Sequence, residues 1–228
     1  LAGADEPALY ATAVDVMADF QSQASRPDVK PYSTDFLIDE VRLFTDWYVP
    51  YVTGGPLSPC RIEEFETLWR TALTNALAVG EPVTVLRDYH AENLIWLPHR
   101  DGLERVGLLD FQDAVIGPMA YDLASLLKDI RRVVPDGLGE QMVRRYLSHP
   151  VAAGLDDEAF RMAYAVLGAQ RNTKIIGIFT RLCRRDGKSV YLDYLPRLWQ
   201  LMAADLAHPA LADLRAWFDA VIPPDKRA

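Results

Sequence analysis

Between Val83 and Asp122 the chain reads VTVLRDYHAENLIWLPHRDGLERVGLLDFQDAVIGPMAYD, short apolar runs spaced by turn chemistry. Val83 to Leu86, following Glu81 and Pro82, has the β-branched, apolar character of a buried strand that stops at Arg87 and Asp88. Leu94 to Leu97 and Val106 to Leu109 form a second pair of runs, separated by Pro98, His99, Arg100, Asp101 and Gly102. Those are turn residues, so the pair predicts a hairpin. Strands are expected in this stretch, with helices on both sides of it.

A hairpin there has a chemical consequence. It returns Asn93, just before its first strand, to the side of Asp110, just after its second, so that two oxygen ligands converge. A magnesium ion prefers such hard oxygens and completes its shell with water and substrate phosphates. Asp88, one loop earlier, is then left to receive the proton of an attacking hydroxyl.

These residues carry a resemblance. Leu86-Arg87-Asp88-Tyr89-His90-Ala91-Glu92-Asn93, followed by Leu109-Asp110-Phe111, resembles the catalytic loop and metal-binding segment of the protein-kinase-like superfamily. The Asp-Tyr-His-x-x-Asn form is similar to the aminoglycoside phosphotransferase and small-molecule kinase branch. Two positions depart from that branch: Leu86 stands where it usually has His, and Arg87 where it usually has Gly. Neither departure removes the base or a metal ligand. Gly117 to Ala124 resembles the segment of that family whose second Asp braces the catalytic loop. The resemblance therefore implies Asp88 as catalytic base, Asn93 and Asp110 as ligands of Mg2+ with ATP as donor, and Asp122 and His90 as supports of the loop. For His90, an ordinary buried structural role stands beside that one.

The flanking segments have helical spacing. Asp5-Glu6-Pro7 opens a helix with Leu9, Ala13, Val14, Met17 and Phe20 on one face, fading by Ser25 to Pro27. Thr34 to about Tyr48 follows, capped by Ser33 or Thr34 and broken by Pro50 and Gly54-Gly55-Pro56, and then Ile62 to Val79, ended by Gly80. After Asp122 the pattern gives helices over Leu123 to Val134, Leu138 to Leu147, Asp156 or Asp157 to about Phe179 or Leu182, Tyr191 to Leu206, and Leu211 to Val221. The fold class is α+β: a mostly helical lobe with a small β-hairpin at the catalytic site.

Within the longest of these helices, Gln170-Arg171-Asn172-Thr173-Lys174 is a polar island. This run, continued through Gly177, Phe179 and Arg181 to Arg185-Asp186-Gly187-Lys188, is similar to bacterial kinases that phosphorylate N-acetylmuramate and N-acetylglucosamine, as is the wording Asp110-Phe111-Gln112-Asp113-Ala114. The likeness implies that Arg171 or Lys174 pairs with a carboxylate or phosphate of the acceptor. A solvated helix face holding a structural salt bridge is the other reading of the same residues.

A net charge of -8 with no strongly basic stretch argues against a nucleic-acid partner, and no apolar run reaches membrane-spanning length. Cys60 and Cys183, far apart and without zinc spacing, read as free thiols in a reducing cytoplasm. A complete kinase also needs a Gly-rich loop over the phosphates and a strand Lys paired with a helical Glu. Gly54-Gly55 lies between non-strand segments, and Gly137-Leu138-Gly139 follows no strand. Residues 1–228 therefore resemble the C-terminal catalytic and acceptor-binding lobe alone, with 83–122 as its core, 156–222 as its helical acceptor region, and the N-terminal nucleotide-clamping lobe absent.

The expectation is an ATP-dependent small-molecule phosphotransferase acting on a hydroxyl of an amino sugar. An aminoglycoside-modifying kinase and a non-catalytic, nucleotide-binding pseudokinase are the alternatives.

Overall fold

A computed structural model describes residues 5–23 and 28–227. The expected fade of the first helix at Ser25 to Pro27 lies outside the described residues. The chain divides into two compact units: the described part of Leu1–Tyr32 with Ala78–Arg161, and Ser33–Leu77 with Met162–Ala228.

The first unit holds α1 (Glu6–Ser22), all four strands found among the described residues, α5 (Ala120–Leu127) and α6 (Asp136–Leu147). The strands are β1 (Val83–Val85), β2 (Leu94–Trp96), β3 (Val106–Leu108) and β4 (Val115–Gly117). β2 and β3 form the expected antiparallel hairpin, with Leu94 opposite Leu108 and Trp96 opposite Val106. β1 does not stand alone: it pairs antiparallel with β4, Val83 against Gly117 and Val85 against Val115. Tyr32 donates its N–H to the Ile116 carbonyl beside them, 2.7 Å away. A Cβ on Gly117 would fall 2.8 Å from the Tyr32 Cβ, so glycine is required where the segments cross.

α5 is shorter than the Leu123 to Val134 read from the sequence. It stops at Leu127 because the Asp129 side chain accepts the Arg131 N–H at 2.9 Å, an Asx turn that competes with helix continuation. The core of this unit includes Val14, Met17, Val85, Tyr89, Tyr121, Leu123 and Tyr146, all essentially buried.

The second unit holds α2 (Thr34–Leu43), α3 (Val49–Thr53), α4 (Pro59–Leu77), α8 (Leu195–Leu206), α9 (Ala212–Val221) and most of α7 (Asp157–Asp186). Ser33 caps α2 by accepting the Phe36 N–H at 3.2 Å, and Asp156 caps α7 through Ala159 at 2.8 Å. Pro50 does not end the second helix as expected. A π-helical turn over Phe44–Tyr48 joins α2 to α3, and the widened ring lets the chain pass a proline that lacks an N–H donor. Gly54, at φ 81°, then ends the run.

An aromatic cluster fills this unit. Phe44 meets Phe218 edge-on at 5.2 Å, Phe65 lies 4.5 Å from Trp217, and Trp199 donates to the Tyr48 hydroxyl at 2.9 Å. Each such side chain contributes about 1.5–3 kcal/mol by leaving water. No helix among the described residues is long and apolar enough to cross a membrane.

Candidate active site

The loop after β1 is held at its start by one buried carboxylate. Asp122, in the first turn of α5 and 0% exposed, accepts the backbone N–H groups of Leu86 at 2.7 Å and Arg87 at 3.0 Å. Arg87 sits at φ 69°, a left-handed conformation that β-carbon-bearing residues avoid, which accords with glycine at that position in the branch the motif resembles. The two charge-assisted hydrogen bonds across Asp122 offset that strain.

Beyond this point the loop folds on itself. The Asp88 carbonyl accepts the His90 N–H at 3.1 Å and the Asn93 side-chain Nδ2 at 3.0 Å, while the Asn93 N–H reaches the His90 carbonyl at 2.9 Å. The Asp88 carboxyl is left partly exposed. His90, 7% exposed, faces the Asn93 Nδ2 with its Nε2 at 3.4 Å, so it touches the side chain of the metal-ligand candidate. Tyr89 anchors the loop from below: its hydroxyl donates to the Ala13 carbonyl at 2.7 Å. Burial first, and the Asp122 charge second, push that phenol well above its ordinary range.

The hairpin performs the return expected of it. The Leu109 N–H donates to the Asn93 carbonyl at 2.9 Å, which extends the β2–β3 ladder and sets Asp110 one residue past Asn93's partner. Asp110 has φ 58° and an exposed carboxylate whose Oδ1 accepts from Gln112 Nε2 at 2.6 Å. Because the Asn93 amide nitrogen is committed to the Asp88 carbonyl, its oxygen is the atom available to a cation. One amide oxygen and one carboxylate suit a hard divalent ion. Leu109 and Phe111, the sequence neighbours of Asp110, are 46% and 59% exposed.

The structure thus brings Asp88, His90, Asn93, Asp110 and Asp122 into one neighbourhood. Arg171 and Lys174 belong to the other unit, and the solvated face considered for them is not found. Gln170 through Lys174 are all buried, none above 6% exposed. Lys174 Nζ lies 3.3 Å from Glu40 Oε1, and Gln170 Nε2 donates to Glu40 Oε2 at 3.1 Å. Arg171 is 4% exposed with Nη1 lacking a hydrogen-bond partner, and neither polar atom of the Asn172 side chain has one. Glu40 was missed from the sequence, although its place three residues after Leu37 on the apolar stripe of α2 marked it as an inward-facing carboxylate. The Gln112 contact left no such signal.

The phosphotransferase enzyme family model matches residues 1–164. The chain belongs to that family. As a member of the phosphotransferase enzyme family it has named relatives. The N-acetylmuramate/N-acetylglucosamine kinase of Caulobacter vibrioides is 42% identical over 99% of this chain and 64% of its own length. That of Pseudomonas putida is 35% identical over 90% of this chain and 60% of its own. The chain therefore spans just under two thirds of these curated relatives.

Among solved structures, a choline/ethanolamine kinase family protein from Mesorhizobium loti matches with a TM-score of 0.61 at 15% identity, covering 92% of this chain and 65% of that one. The GDP complex of an aminoglycoside 2'-phosphotransferase-IIIa mutant matches at 0.57 and 16%, covering 90% and 65%. At these identities the likeness establishes the fold alone, which is kinase-like.

Proposed function

We infer that this chain is the catalytic and acceptor-binding lobe of an ATP-dependent kinase that transfers the γ-phosphate to a hydroxyl of an amino sugar, N-acetylmuramate or N-acetylglucosamine. It works with a nucleotide-clamping lobe outside residues 1–228. The observation that carries the reading is the hydrogen-bonded loop: Asp122 fixes Leu86 and Arg87, and Asn93 fixes the Asp88 carbonyl, so the Asp88 carboxyl has a set position on a rigid support.

In this reading Asp88 orients the sugar hydroxyl and takes its proton as the oxygen becomes a nucleophile. Asn93 and Asp110 would hold Mg2+, which when bound would supply charge neutralisation at the phosphates. His90 keeps the Asn93 amide turned so that its oxygen points outward, and Asp122 keeps the loop in register. The work of the protein is positioning and charge placement, since phosphoryl transfer asks little covalent chemistry of it.

Of the two basic residues, only Arg171 is left to serve the acceptor. Lys174 is neutralised by Glu40 and keeps the helix in place, whereas Arg171 Nη1 has no protein hydrogen bond to lose and can meet a lactyl carboxylate. The two thiols, Cys60 and Cys183, are free, which suits a cytoplasmic protein.

An acceptor assay with the full-length protein, MgATP and each sugar, read by phosphorus NMR, tests the proposal. A sugar phosphate at the hydroxyl is expected. Phosphorylation of kanamycin-like acceptors with no turnover of either amino sugar would reassign the protein to antibiotic modification.

A further inference from the structure

The catalytic loop has two ends, and α5 lies between the groups that hold them. Asp122 in its first turn binds the start of the loop. At the other end, the Glu92 carboxylate receives Arg131 Nε at 2.9 Å. Glu92 lies in the single 3-10 turn Ala91–Asn93, directly before the residue assigned to the metal. Arg131 is itself placed by Asp129, which is 1% exposed, accepts the Arg131 N–H through Oδ1 at 2.9 Å and lies 4.0 Å from its guanidinium. The Asp129 Oδ2 is buried with no hydrogen-bond partner. A buried carboxylate with an unanswered oxygen holds a cation nearby strongly, so Arg131 is not an ordinary surface arginine.

We propose that Arg131 is a positioning residue for phosphoryl transfer, acting through Glu92 to fix the turn that carries Asn93. The proposal rests on the assignment of Asn93 to the metal. It makes the end of α5 a functional feature: the Asx turn at Asp129 that stops the helix also aims Arg131 at the loop. The backbone bonds from His90 to Asp88 and from Asn93 to His90 close the turn locally. The Leu109 N–H, donating to the Asn93 carbonyl, holds its far side, and the ion pair adds a constraint on Glu92 from the segment after α5. Glu92 and Arg131 are 57% and 29% exposed, so the pair adds little to global stability. Its effect belongs to loop geometry, where small displacements of reacting groups cost large factors in rate.

Two measurements on the full-length protein test this. In amide hydrogen exchange, Arg131→Ala should speed exchange at His90 to Asn93 and leave Leu86 and Arg87, held by Asp122, as they were. In turnover assays, Arg131→Glu and Glu92→Arg should each lower kcat about tenfold and raise the magnesium concentration for half-maximal rate. Arg131→Lys, which keeps a cation between Asp129 and Glu92, should stay within about threefold of the parent in both kcat and magnesium requirement. Exchange unchanged at His90 to Asn93, or Arg131→Lys no better than Arg131→Glu, would overturn the proposal. If the parent phosphorylates no amino sugar, the functional reading fails separately, and the exchange measurement still decides whether Arg131 holds the loop.

Discussion

Lys174 meets Glu40 inside the second unit, its ammonium 3.3 Å from the carboxylate and both side chains 8% exposed. A desolvated pair of this kind is costly to break from one side, because the remaining charge stays buried. Lys174→Met should therefore destabilise the protein by about 3–5 kcal/mol, and adding Glu40→Leu should restore part of that loss. Urea unfolding of the single and double variants measures both. A single-variant loss below about 1 kcal/mol would show that Glu40 finds its compensation elsewhere.

Arg171 differs from Lys174 in having an unmet donor. Arg171→Ala should raise the Michaelis constant of the full-length protein for N-acetylmuramate about tenfold more than for N-acetylglucosamine, since only the first bears a lactyl carboxylate. Equal changes for both sugars would remove Arg171 from carboxylate recognition.

Gly177 packs directly on the backbone where α2 becomes the π-helical turn. A Cβ there would run into the Leu43 carbonyl and the Phe44 nitrogen, both backbone atoms that cannot swing aside. Gly177→Ala should cost about 1–3 kcal/mol despite alanine's better helix propensity. A melting temperature equal to or above the parent's would mean the two helices separate freely.

Acid sensitivity has a defined source in the first unit. Burial alone would raise the Asp15 carboxyl, but hydrogen bonds and charge from Arg145, bidentate at 2.6 Å, and from His149 at 2.8 Å outweigh it and hold the group below the ordinary carboxylate range. A carboxylate lowered in the folded state stabilises it fully above the unfolded pKa, and that contribution disappears as pH falls through the folded value. The stability difference between the parent and Asp15→Asn should thus be constant near neutral pH and shrink below about pH 4. Denaturation midpoints across pH 3 to 8 measure it. A difference that grows on acidification would contradict the assignment.

The helical parts were legible because their apolar stripes bury large surfaces: Leu37, Val41 and Phe44, or Phe65, Trp69, Leu73 and Ala76, fall inside as the spacing requires. The hairpin was legible because Pro98 to Gly102 is turn chemistry between two apolar runs. What the sequence hid were interactions set by distant partners. β4 is a strand only because β1 and the Tyr32 segment supply its hydrogen bonds. α5 stops early because one side chain competes for an N–H, and the π turn exists to carry Pro50. In the site, the Asp122 contacts followed from the motif, while the pairings of Lys174 with Glu40 and of Glu92 with Arg131 join residues far apart in the chain.

The metal assignment has its own test. Asp110→Ala in the full-length protein should raise the magnesium requirement at least about tenfold, with partial recovery of rate in excess magnesium, because one of the two proposed protein ligands is lost. Identical magnesium dependence in variant and parent would take Asp110 out of the metal site.

The central claim concerns Asp88, whose backbone is held by its own loop and which is left partly exposed. The direct test is kcat for Asp88→Asn in the full-length protein with MgATP and N-acetylglucosamine, alongside nucleotide affinity. A fall of at least about a hundredfold in kcat with nucleotide binding nearly unchanged is expected, since proton removal and hydroxyl alignment are lost together. Turnover within a few-fold of the parent would mean that Asp88 is not the base.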